Sequence, residues 1–68
     1  MLNTERTQYT KTDGFKIMIA RIHAGLSQLQ LAKTVGISQS KMSMIERNET
    51  NATEDEVKRI KAVLEASG

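Results

Sequence analysis

Cysteine and proline are both missing from this 68-residue chain, and histidine occurs once. Without cysteine there is no disulfide framework and no thiolate metal site. The single His23 has no partners at metal-ligand spacing, so no metal and no other cofactor is expected. Long apolar runs are lacking too. The longest, Ile17 to Ala20, is far too short for a signal peptide or a membrane span, which leaves the cytoplasm as the default compartment. Catalytic constellations are equally scarce. Glu54, Asp55 and Glu56 are consecutive, so on a helix they diverge in 100° steps and cannot converge as an acid–base pair. The one histidine has no cysteine partner and no serine at an evident turn, and an enzyme is not expected.

Acid is absent from one long stretch. Between Gly14 and Ile45 stand Lys16, Arg21, Lys33 and Lys41, with no aspartate or glutamate. The acids concentrate outside it, at residues 54–56. A net charge of +2 implies little by itself. The segregation is more informative: it suits a segment that faces phosphates, with chance as the bland alternative in so short a chain. The length allows one domain, near the lower limit for folding on a hydrophobic core alone.

What is present centres on residues 25–46, GLSQLQLAKTVGISQSKMSMIE. Ser27 and Gln30 have capping-box spacing, and Leu26 can staple onto Leu31. Ser38 caps a second helix, with Ile37 placed to staple onto Met42. Gly36 supplies the left-handed residue between them. Two short helices joined by such a turn form a helix-turn-helix unit, whose second helix typically enters the DNA major groove. Upstream, Asp13 caps a helix over about 14–24 that ends at Gly25. Its Phe15, Met18, Ile19 and Ile22 fall at i, i+3, i+4 and i+7 and form one apolar face. Downstream, Thr53 and Glu56 form another capping box, opening a helix that runs to about Ala66 and buries Val57, Ile60 and Leu64. The expected core is Leu31, Val35, Ile37, Met42, Ile45 and Ile60, with Leu29 at its edge and His23 facing solvent.

The run Gln28, Leu31, Ala32, Gly36, Ile37, Ser38, Ile45 and Glu46 resembles the Cro/CI-type (XRE-like) helix-turn-helix family, which includes the lambdoid phage repressors. The resemblance is continuous from about Phe15 to Asn48 and looser to Leu64. It implies an all-α, four-helix, lambda-repressor-like domain over residues 13–68, preceded by a flexible arm over residues 1–12. Asn48 stands where the family usually has glycine, and asparagine tolerates the left-handed region. Many family members continue into a fifth helix, whereas this sequence stops at Gly68.

On the third helix Met42 and Ile45 point inward, which leaves Gln39, Ser40, Ser43, Met44 and Arg47 on the outward arc. Gln39 can bond adenine bidentately, the serines can donate or accept, and Met44 can touch a thymine methyl. The resemblance places Gln39, Ser40 and Met44 on base-contacting positions, and Ser43 completes that set. Ser27, Gln28, Lys41 and Arg47 are the expected phosphate contacts, Gln28 by matching the family's phosphate-bonding glutamine. Arg21 and Glu46 match positions that hold a structural ion pair in the lambdoid repressors.

The resulting expectation is a double-stranded-DNA-binding transcriptional regulator, a repressor acting by operator occupancy and nucleoid-associated when bound. The alternative is an antitoxin-like or anti-repressor module that binds another protein on the same fold. A weak homodimer, forming on DNA, is expected through the loop after the third helix, the edge of the fourth near Val63, or the arm near Leu2 and Tyr9. The arm either has no role, follows DNA with Arg6 and Lys11, or docks.

Overall fold

The computed structural model describes residues 12–67, and the arm residues 1–11 lie outside them. Four helices follow one another: α1 (Gly14–His23), α2 (Gln28–Val35), α3 (Gln39–Glu46) and α4 (Glu54–Ser67). No strand forms among the described residues, and none of their helices is long and apolar enough to cross a membrane. Each start carries the local device that the sequence spelled out. Asp13 accepts from the Lys16 amide, Ser27 and Gln30 close a full capping box, and Ser38 accepts from the Lys41 amide. Thr53 and Glu56 exchange the same reciprocal bonds at 3.0 and 3.1 Å, satisfying amides that would otherwise lack partners.

The ends of α1 and α3 are built alike. The Leu26 amide reaches back to the Arg21 carbonyl at 3.1 Å, and the Glu49 amide to that of Met44 at 2.8 Å. Such closures need a left-handed residue at the turn, supplied by Gly25 at φ 76° and Asn48 at φ 62°. Asn48 also does what glycine could not. Its Oδ1 accepts from the Gly14 amide at 2.9 Å, so the end of α3 caps the start of α1.

The core lies where α2 meets α3 and α4. Leu31, Ala32, Val35, Met42, Ile45 and Ile60 are buried, each large side chain contributing about 1.5 to 3 kcal/mol. Ile37, expected to be buried, is half-buried, as is Leu64 on α4, because both border the core rather than fill it, and Val57 is half-buried as well. Leu29 is exposed rather than at the core edge, and His23 faces solvent. Ala52 is fully buried, which no pattern announced. Its amide donates to Thr12 Oγ1 at 2.9 Å, and the Thr12 amide donates to Asn51 Oδ1 at 3.2 Å. Thr12, assigned above to the arm, is therefore held by the domain.

Helix α1 departs from the usual arrangement of an amphipathic helix. Its apolar stripe does not face the core: Phe15 is 58% exposed, Ile22 54% and Ile19 37%. The helix docks instead through Gly14, Ile17 and Arg21, whose positions lie about 90° to 150° around from the middle of the stripe. Gly14 is the reason it can. A Cβ there would collide with the Ile45 carbonyl oxygen and lie 2.9 Å from Glu46 Cα. Backbone-to-backbone contact with α3, not the stripe, fixes the rotation of α1.

Candidate nucleic-acid interface

Helix α3 buries Met42 and Ile45, and this sets everything else it presents. Gln39, Ser40, Met44 and Arg47 are exposed, and Ser43 is half-buried among them. With Gln28 at the start of α2, these side chains line one open hollow of about 470 Å³. Its donors and acceptors are uncharged except at Arg47, a set suited to base edges rather than to phosphates alone. The four residues named for base contact thus share one surface with two of those named for phosphate.

Arg47 sits at the C-terminal rim. Its Nε and Nη2 each donate to Glu49 at 2.9 Å, and Nη1 donates to Ser43 Oγ. The hydrogen bond to Glu49 raises the guanidinium's pKa further, and the same bond holds the Glu49 carboxyl below its ordinary value. Sequence reasoning passed over Glu49, although it stands only two residues beyond Arg47 and after a turn. A carboxylate here opposes phosphate and favours partners that donate hydrogen bonds.

The other proposed phosphate contacts are also engaged within the chain. Lys41 Nζ donates to Glu56 Oε2 at 2.7 Å, joining α3 to α4. Burial pushes the Glu56 carboxyl up, but the hydrogen bonds from Lys41 and from the Thr53 amide outweigh it, and the net direction is down. Ser27 Oγ serves its capping box. Gln28 Nε2 donates to Glu46 Oε1 at 3.1 Å, so this amide helps orient α3 from inside the domain. Each group still keeps a donor to spare: the ammonium has three, the guanidinium five and the serine hydroxyl one.

Arg21 and Glu46 are the hub of this scaffold. Arg21 Nε and Nη2 donate to Glu46 at 2.7 and 3.1 Å, while Nη1 donates to the Leu26 carbonyl at 2.9 Å. With Gln28 added, one buried carboxylate links α1, α2 and α3. The acid-free stretch of sequence is consequently not acid-free in space. Glu46 and Glu56, from outside it, neutralise two of its four cations.

A family model described as helix-turn-helix matches residues 17–67. No curated protein matches the chain. Among solved structures, the SinR protein/SinI protein complex is similar at 36% identity and a TM-score of 0.72, over 76% of this chain and 52% of that one. SinR, the master regulator for biofilm formation, in complex with DNA is similar at 36% identity and a TM-score of 0.71, over 76% of this chain and 84% of that one. This chain therefore spans about half the length of the chain it matches in the SinR/SinI complex.

Proposed function

Because this chain belongs to the Cro/CI-type (XRE-like) helix-turn-helix family, we propose that it is a DNA-binding transcriptional regulator that reads double-stranded DNA with α3. One observation carries the reading: Gln39, Ser40, Ser43 and Met44 converge with Gln28 and Arg47 on a single open surface. In this reading α3 lies in the major groove, Gln39 pairs with adenine, and Met44 covers a thymine methyl. Ser27, Lys41 and Arg47 hold phosphates with their remaining donors. The Glu46 hub acts indirectly, by keeping α3 at a fixed angle to α1 and α2. Occupation of a site that overlaps a promoter makes the protein a repressor. SinR, bound to DNA in a related structure, supports the DNA partner.

Selection of bound sites from random DNA tests the proposal. A defined half-site should emerge. Gln39→Ala should then relax one position in it by about 1 to 3 kcal/mol, the range for a bidentate pair. Lys41→Ala should weaken all sequences alike and flatten the salt dependence. Equal losses on every sequence for both variants would remove Gln39 from readout, and a selection that returns no preferred sequence would overturn the reading.

A second reading, the protein-interaction module, has one observation in its favour: the apolar outer face of α1.

A further inference from the structure

A groove runs between α1 and α4, and its lining shares no residue with the α3 hollow. Its volume is about 330 Å³. Buried Ile60 forms the floor. Ile17 and Ala20 from α1, with Val57 and Leu64 from α4, are half-buried walls. The gap exists because α1 packs on α3 through Gly14 and Arg21 while α4 packs on α2, so neither helix closes on the other. Lys16 and Lys61 are exposed at the lips, and neither pairs with an acid among the described residues. Thr12, the first residue described, also lines the groove. It is fixed there. The Ala52 amide donates to its hydroxyl at 2.9 Å, and its own amide donates to Asn51 Oδ1 at 3.2 Å. The chain before it therefore joins the domain at the groove itself.

We propose that residues 1–11 fold back along this groove and seat the Tyr9 ring in it. Reach agrees. Tyr9 is three residues from Thr12, about 10 Å of extended chain, and the α4 wall from Val57 to Leu64 rises by about the same distance. Chemistry agrees as well. A tyrosine suits a half-open apolar groove, because the ring covers the walls while the hydroxyl stays at the wet lip. The lysine stems can pack along the ring's edges and keep their ammoniums in water. Glu5, the one acid among residues 1–11, lies four residues further out and supplies those ammoniums with a counter-charge. Tethering decides between this segment and other occupants. A segment joined to the groove's lip competes at an effective concentration on the order of millimolar, which a second copy or a foreign protein reaches only in concentrated solution. This is the docking role considered above for the arm, turned toward its own domain. Val63, the other apolar candidate on α4, packs against the core and takes no part.

The test needs no DNA, so its failure is separable from failure of the DNA-binding reading. Tyr9 is the only tyrosine and there is no tryptophan, so its ring signals are assigned without ambiguity. In the full chain, nuclear Overhauser contacts should join the Tyr9 ring to methyl groups of Ile17, Ile60 and Leu64, and dilution should leave them unchanged. Tyr9→Phe should keep the contacts. Tyr9→Ser should shift those methyl signals while helicity stays the same. Tryptic cleavage after Arg6 should be roughly ten times faster in Tyr9→Ser than in the parent, because cleavage follows the undocked population. Ala20→Glu, which sets a charge in the apolar wall, should accelerate it in the same way. A parent chain that lacks the contacts, with Arg6 cut as fast as in Tyr9→Ser, overturns the proposal and leaves the groove to a foreign partner. Contacts found only between differently labelled molecules in a mixed sample overturn it too, by giving the groove to a second copy.

Discussion

Helices α1 and α3 touch each other, and their outward faces are opposite in character. That of α3 is polar, with Gln39, Ser40, Ser43 and Arg47 arranged over buried Met42 and Ile45. The outward face of α1 is apolar, and the side it turns inward carries Gly14 and Arg21. Helix α3 obeys the ordinary rule that the apolar side of an amphipathic helix meets the core. Helix α1 breaks it. Two specific contacts account for the difference: Gly14 lies so close to the α3 backbone that no side chain fits, and Arg21 is held by the Glu46 carboxylate. Directional contacts of this kind can orient a helix against its own apolar stripe, which is then left exposed.

The most severe way to break this contrast is to remove the carboxylate that holds the two helices together. Glu46→Ala takes the acceptor from Arg21 and Gln28 and leaves a largely covered guanidinium without its partner. The expected loss is about 3 to 5 kcal/mol in urea unfolding. Parent-like stability would mean that apolar contacts alone orient α1.

Paired alanine substitutions sharpen the same contrast. Ile45→Ala, on the inward side of α3, should cost about 2 to 5 kcal/mol. Ile22→Ala, on the outward side of α1, should stay within about 0.5 kcal/mol at concentrations where the chain is monomeric. Equal losses at the two positions would return the stripe to the core.

The smallest effect concerns how α3 is tied to α4. The Glu56 carboxyl is held below its ordinary value of 4.5, so the stability it adds is complete above that value and disappears as pH falls through the lower, folded-state value. Glu56→Gln should therefore be less stable than the parent by about 1 kcal/mol near neutrality, since Lys41 is partly exposed. The gap should close below pH 4.5 in thermal melts taken across the acid range. A gap that persists at low pH would assign the effect to packing rather than to the ion pair.

Helix boundaries were largely legible from sequence, because the signals are local. Ser27 with Gln30, Ser38, Thr53 with Glu56, and the glycines at 25 and 36 act within a few residues of themselves. The outward arc of α3 was legible for the same reason, once Met42 and Ile45 were taken as inward. The capping of Gly14 by Asn48 spans 34 residues, and the Lys41–Glu56 pair spans 15, and neither leaves a trace in local spacing. Gln28 illustrates the limit within one residue. Its helix-start position could be read, but whether its amide faces a phosphate or Glu46 depends on where α3 ends relative to α2.

Composition, caps and period thus determined the four helices of the described residues and the glycine turn between the second and third, because each such choice is settled by neighbours along the backbone. Tertiary structure alone decided how α1 is rotated, which cations of the acid-free stretch keep their charge uncompensated, and which apolar stripe meets solvent. A hydrophobic period marks a face without naming its partner. The partner is fixed by contacts between residues far apart in sequence, here a glycine against a carbonyl and an arginine against a buried carboxylate.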